Sequence, residues 1–370
     1  MFASNSKPKP LVNRLTRSQT RSAELTSKPS NFPAVNREGV LIGSDIYWNP
    51  ALMANPHGCI IGGSGAGKTQ TLKAIAYSIP HHYPCQIVVI DFHGDQELPG
   101  ETCYNVNMKT MTGINPMKLN LDHEGGGPNL KSIELSALFR KTLRLGPNQE
   151  AKLLDCLKHC YFRRGISQDS PPSWLKIAPN FGDLEALLEE MAADDKEAEK
   201  LRLKLSVVFE YGIFNKTQPI NQPLTRWNLS KLPPELQAIA GDALAQQLMN
   251  DHRLSGEWEV NYPRTVLFID EAKELQHSRA LNRIAADGRK YGLALWVASQ
   301  RAGHIDGDVL SNTFAKIVLP VDASDLKKTA TTFNFSGEAI AALHPLEALV
   351  RFGRDAHRVN VVPYWQRVAA

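Results

Sequence analysis

The chain has 370 residues, 42% hydrophobic and 22% charged, with a formal net charge of +4. These proportions are those of a soluble globular protein, and no uninterrupted apolar run of about 18 residues is present, so no membrane-spanning helix is predicted. Five cysteines in no regular framework argue against a disulfide scaffold and for a reducing, cytoplasmic setting, while a charge of +4 is too small by itself to identify a nucleic-acid partner.

The first segment, residues 1–37, carries Lys7, Lys9, Arg14, Arg17, Arg21, Lys28 and Arg37 against Glu24 alone, among many Ser, Asn and Pro residues. Without an apolar signal region it is predicted to be a disordered basic arm, either a contact for nucleic acid or a partner or a solvated tail. From about Val40 short apolar strands alternate with helical stretches. That pattern predicts an α/β fold over residues 38–370, with a largely parallel sheet and helices on its faces.

The apolar segment Gly58 to Ile61 runs into GGSGAGKT, Gly62 to Thr69, a full match to the phosphate-binding pattern G-x4-G-K-[ST]. Main-chain amides wrap a polyphosphate only where side chains do not obstruct them, which accounts for the glycines. Gly62, Gly63, Ser64, Gly65, Ala66, Gly67, Lys68, Thr69 and Gln70 are therefore expected to hold ATP. Lys68 brings a point charge to the outer phosphates, and the Thr69 hydroxyl ligates Mg2+ at the start of the next helix. The fold expected around this loop is a P-loop NTPase (RecA-like) core.

The second strand, Gln86 to Ile90, ends in Asp91-Phe92-His93-Gly94-Asp95 at the sheet's carboxyl edge, where ligands of open α/β folds gather. Asp91 or Asp95 is placed to assist the magnesium shell, whereas His93 alone makes no metal site. A helical insertion follows over about 120–258, with helices predicted at Asn148 to Arg163 and Asp183 to Phe209. Cys156 and Cys160 flank His159 there; three candidate ligands are few for a closed metal site, and buried thiols are the alternative. Arg226 to Leu229 reads as a strand returning to the sheet, and Pro234 to Asn250 as a helix opened by its proline.

Thr265 to Ile269 is an apolar strand followed by Asp270-Glu271, the order of a Walker B pair. Asp270 is assigned to magnesium with Thr69, and Glu271 to the general base that activates water. Strand Leu293 to Ala298 leads to Ser299 and Gln300, where a polar sensor of the γ-phosphate or the lytic water would stand. Arg289, at the end of the intervening helix, is a candidate finger for a neighbouring subunit's site or else a solvated helix end; Arg301 is the second candidate. Ala315 to Leu319 supplies a further strand.

This order of motifs resembles the FtsK/HerA superfamily of DNA-pumping P-loop ATPases: GGSGAGKT, IDFHGD, an insert ending in LRLKLSVVFEYGIF, LFIDEAKEL, then ADGRKYGLALWVASQRAG. Within it the chain resembles the HerA-like branch, and its opening resembles the ATPase portion of DptH-type restriction proteins. The resemblance, over about Val40 to Val362, implies a homohexameric ring threading double-stranded DNA, Arg289 as trans finger and Gln300 as sensor. HerA-like proteins commonly carry an N-terminal β-barrel, for which the segment before Val40 is too short and polar. Docking to a nuclease partner by such a barrel is therefore not expected, and accessory domains are expected on other polypeptides. The expected function is ATP-driven DNA translocation in defence, repair or mobile-element processing; the alternative is a nucleotide-gated assembly protein that switches a partner without pumping DNA.

Overall fold

The computed structural model describes residues 39–369, so the predicted basic arm lies outside them. The described chain opens with an antiparallel hairpin of β1 (Val40–Gly43) and β2 (Ile46–Trp48). β3 (Gly58–Ile61) enters the P-loop, α1 (Lys68–His82) leaves it, and β4 (Gln86–Asp91) and β5 (Thr102–Asn105) follow. The insertion builds α2 (Pro128–Leu143), α3 (Pro147–Arg163), α4 (Phe181–Ala192), α5 (Lys196–Lys204) and α6 (Ser206–Tyr211). β6 (Leu224–Asn228) and α7 (Pro234–Leu254) return the chain to the sheet. Then come β7 (Thr265–Ile269), α8 (Arg279–Asp287), β8 (Leu293–Ser299), α9 (Gly307–Ser311) and β9 (Ala315–Val318). α10 (Ala323–Phe333), α11 (Gly337–Ala341), β10 (Glu347–Phe352), β11 (Asp355–Asn360) and α12 (Tyr364–Val368) close the described chain.

The main sheet has nine strands in the order β11-β10-β9-β3-β8-β7-β4-β6-β5. Every pair from β9 to β5 is parallel, and β10 and β11 extend the sheet antiparallel. This is the predicted mixed α/β architecture with a mostly parallel sheet. β8 lies between the P-loop strand β3 and the acidic strand β7, so all three end at one carboxyl edge.

Both faces of the sheet are buried, as the apolar strand sequences require. Ile60, Val89, Phe268 and Trp296 face one core with Leu72, Ile75 and Ile79 of α1 and with Trp48 of the hairpin. Alternate residues Ile61, Ile90, Leu267 and Val297 face the other core, which α7, α8 and the insertion cover. The period of two in each strand thus separates two apolar layers.

Several boundaries differ from the sequence expectation. The predicted helix Asp183 to Phe209 is three helices: it breaks at Asp195, which adopts an extended conformation (φ −128°) and caps α5 by accepting from the amides of Glu197 and Ala198, and again at Leu205 (φ −89°, ψ 1°). The first break turns Leu184, Leu187 and Leu188 of α4 and Leu201 of α5 toward one core. β6 begins two residues earlier than expected, and β5, the β1–β2 hairpin and the β10–β11 pair were not predicted. Cys156 and Cys160 are buried in the lobe while His159 points outward exposed, and burial pushes the two thiols up to about 11 and about 12. These are core thiols and no metal site. Among the described residues no helix is long and apolar enough to cross a membrane.

The lobe's α4 depends on a reciprocal cap: Asn180 Oδ1 accepts from the amide of Gly182 at 2.8 Å, and Asp183 accepts from the amide of Asn180 at 2.9 Å. Asn180→Ala is expected to destabilise the protein by about 1 kcal/mol. A lower urea midpoint at unchanged slope for the lobe's transition is the confirming result; an unchanged midpoint removes the cap from the account.

Candidate active site

The P-loop is held on three sides by the main chain. Gly62 N–H donates to the Ser299 carbonyl (3.3 Å), Gly63 N–H to the Pro320 carbonyl (2.7 Å), and the Ala66 carbonyl accepts from Leu346 N–H (3.1 Å). Gly67 has φ +104°, and a Cβ there would lie 2.6 Å from Leu346 Cδ2, so both conformation and space demand glycine. Because the Gly62 and Gly63 amides are committed to carbonyls, the phosphate donors are the later ones. Chief among them are the first-turn amides of α1 at Lys68, Thr69 and Gln70, which a helix start leaves without intrahelical partners.

Lys68 Nζ donates to the Gly63 carbonyl at 2.8 Å, spanning the loop from within. Burial lowers its pKa, and the negative charges of Glu271, Asp322 and Asp95 oppose that shift. The cation therefore sits where both its own loop and the acidic side draw on it.

The acidic side is built by the ends of β4 and β7. Thr69 Oγ1 lies 3.3 Å from Asp95 Oδ2, and carboxylate oxygens of Asp91, Asp95 and Asp270 lie within 4.8 Å of one another. Asp91 is already saturated. Its Oδ1 accepts from the amides of His93 (3.2 Å) and Gly94 (2.6 Å), and its Oδ2 from Gln96 N–H (3.2 Å) and Arg226 Nη1 (2.9 Å). Arg226 also clamps Glu101 (2.7 Å), and all three side chains are buried. Asp91 thus shapes the loop, and the oxygen donors left for a divalent cation are Thr69, Asp95 and Asp270.

Asp270 is buried, and burial pushes its pKa up to about 6, against hydrogen bonds from His93 and the Phe92 amide. His93 Nδ1 lies 3.2 Å from Asp270 Oδ2, and that contact raises His93 to about 9. A hydroxyl and carboxylates form the hard-oxygen set that suits magnesium, and a cation at Asp270 would relieve the same desolvation that His93 now offsets. The donor set therefore fits nucleotide and metal. Glu271 is buried beside it, with Oε1 accepting from Ser299 Oγ at 2.9 Å.

The fold brings Lys68, Thr69, Asp270 and Glu271 to one edge, and Gln300 follows directly on Ser299, whose carbonyl anchors the P-loop. Arg289 is not among them. It lies on the turn Gly288–Tyr291 that enters β8 at the sheet's amino edge, where its Nη1 donates to the Ala54 carbonyl. Arg301 is paired with Asp325 at 3.0 Å. Sequence reasoning missed Arg226, Ser299 and His304; an arginine inside a buried strand was the one signal available for the first.

No family profile matches the chain. It is 24% identical over 351 residues to the DNA double-strand break repair helicase HerA of Sulfurisphaera tokodaii, covering 84% of this chain and 65% of that protein. The chain thus spans just under two thirds of that relative's length. Among solved structures, VirB4 of Thermoanaerobacter pseudethanolicus superposes with a TM-score of 0.75 at 19% identity, covering 88% of this chain and 97% of that one. The plasmid coupling protein TrwB in complex with ADP and Mg2+ gives 0.59 at 17% identity, covering 88% and 89%. Fold and motifs are those of a P-loop nucleoside triphosphatase. The HerA relatives are similar to this chain at 24% identity, in keeping with the FtsK/HerA resemblance of its motif order.

The Arg226 clamp is the site's main structural support. Arg226→Met leaves Asp91 and Glu101 buried without their partner, which is expected to cost about 3–5 kcal/mol. A thermal melt several degrees lower would bear this out, and an unchanged melt would show that the loop after β4 stands without the clamp.

Proposed function

We propose that the chain is the ATPase subunit of a motor that translocates double-stranded DNA as a ring of identical subunits, a homohexamer by the resemblance. The observation that carries this reading is the division of catalytic groups between two sheet edges. The P-loop, the metal donors and Glu271 share the carboxyl edge, while Arg289 stands at the amino edge. Among the described residues Arg289 stands away from its own chain's phosphate site and Arg301 is paired with Asp325, and a neighbour's Arg289 completes the site.

Each residue then has a defined task. The α1 amides and Lys68 bind the phosphates of ATP; Thr69, Asp270 and Asp95 hold magnesium, which when bound neutralises phosphate charge. Glu271 accepts the proton of the attacking water, and Gln300 senses the γ-phosphate. The HerA relatives are named as DNA double-strand break repair helicases, which supports DNA as the polymer moved. Defence, repair or mobile-element processing is the proposed setting, with a nuclease or other system component as partner. Motion along any sequence requires a grip on phosphates, so binding should ignore base sequence and weaken steeply with salt. The basic arm from Lys7 to Arg37 contributes to that grip.

Glu271→Gln should retain ATP and lose roughly 10²-fold or more of its turnover, as expected for removal of a general base. Lys68→Ala should weaken nucleotide binding itself. Arg289→Ala should bind ATP nearly normally and lose on the order of 10³-fold in kcat; mixing it with Lys68→Ala subunits should restore part of the activity in hybrid rings. Absence of any recovery when subunits exchange rules against the shared site. ATP turnover that duplex DNA does not stimulate, but a partner protein does, replaces the motor by the nucleotide-gated switch.

A further inference from the structure

Glu271 is held by a pair of side chains that the assigned roles leave unused. Ser299 Oγ donates to Glu271 Oε1 at 2.9 Å, and the same Oγ lies 3.3 Å from His304 Nδ1. Glu271 and Ser299 are both buried, and His304 is half-buried. An ionised carboxylate only accepts, and a hydroxyl has one proton to give. The Ser299 proton therefore goes to Glu271, and the Ser299 oxygen accepts from His304, whose Nδ1 carries the hydrogen. The bonds run one way, from His304 through Ser299 to Glu271.

Contacts to the neighbouring loops hold the middle of this run and its far end. The Ser299 carbonyl accepts from Gly62 N–H at 3.3 Å, so the residue that holds Glu271 also holds the first residue of the P-loop. His304 closes the short turn Ala302–His304, and Gln276 Nε2 donates to the Gly303 carbonyl at 3.2 Å. Gln276 itself ends the turn Ala272–Leu275 that begins at Glu271. The loop after β7 and the loop after β8 are thus tied together behind the carboxylate.

We propose that Ser299 and His304 are positioning residues that lock Glu271 Oε1 from behind and leave Oε2 to meet the attacking water. This deepens the assignment of Glu271 as general base and rests on it. A carboxylate freed to rotate spends less time in the productive geometry, a loss that appears in kcat with substrate binding unchanged.

The test measures steady-state ATP hydrolysis and fluorescent-ADP affinity for the full chain and for Ser299→Ala, Ser299→Thr, His304→Ala, His304→Asn and Glu271→Gln. Ser299→Ala should lower kcat roughly 10-fold to 100-fold with KM and ADP affinity unchanged. Ser299→Thr, which keeps the hydroxyl, should recover most of it. His304→Ala should lower kcat less, and His304→Asn, which keeps a donor near the Nδ1 position, should restore it. If Glu271→Gln is inactive while Ser299→Ala and His304→Ala turn over like the parent, positioning is overturned and the base stands. If Glu271→Gln itself turns over normally, both fall. Equal losses in the alanine and the conservative variants, or losses shared with ADP affinity, mark packing alone and also overturn the proposal. Should Ser299→Ala not fold, the two His304 variants decide by the same criteria.

Discussion

The position of β8 between β3 and β7 decides which groups can meet. Neighbouring strands are spaced about 4.8 Å apart, so the P-loop and the Asp270–Glu271 pair end up roughly 10 Å apart across the intervening strand. That gap is wide enough for a phosphate chain and its cation, and it is floored by Ser299. Direct pairing of β3 with β7 would press the acidic pair against the loop. The parallel register, Ile61 beside Ser299 and Ile269 beside Val297, sets the three strand ends within two residues of one height.

Burial supplies the chemistry at that height. Asp270 is pushed up to about 6 because its charge has been taken out of water, and His93 is drawn up to about 9 by answering it. Asp91, also buried, is matched instead by Arg226 and three loop amides. Two carboxylates a few ångströms apart therefore have different availability. One is consumed by structure, and the other is met by one backbone amide and a half-exposed imidazole. Breaking the Arg226 clamp would blur that distinction, since an unmatched Asp91 would compete for the same cation.

The strongest local signals in the sequence were those with a backbone or charge requirement behind them. GGSGAGKT placed the loop, because Gly67 must adopt positive φ against Leu346, and the apolar runs ending in Asp91, Asp270 and Ser299 placed three strands of the sheet. Strand order was out of reach, since it depends on which apolar faces meet after long excursions of the chain. β5 escaped notice because Thr102–Asn105 is only partly buried and lacks an apolar run, and β11 because nearly all its residues are exposed. The lobe's helix breaks were hidden for a different reason: leucine spacing persists across Asp195, and only the cap geometry reveals the turn. Arg226 and Ser299 acquire their roles through partners more than twenty residues distant in sequence, which no local pattern encodes.

The proposed role of Arg289 would constrain assembly through both edges of the sheet. Arg289 and the phosphate site lie at opposite ends of β8, separated by a seven-residue strand, or about 23 Å at ordinary strand rise. A contact that brings one copy's Arg289 to another copy's P-loop joins two different surfaces, and it leaves an unused P-loop on the first copy and an unused arginine on the second. A twofold dimer uses the same patch on both partners and could satisfy both only by an intertwined exchange. Head-to-tail repetition satisfies each site in turn, and it ends without loose surfaces only when the rotation between neighbours closes a ring. Under the proposed trans role of Arg289, its separation from the P-loop within one chain would make a closed ring the assembly in which every subunit is both donor and acceptor.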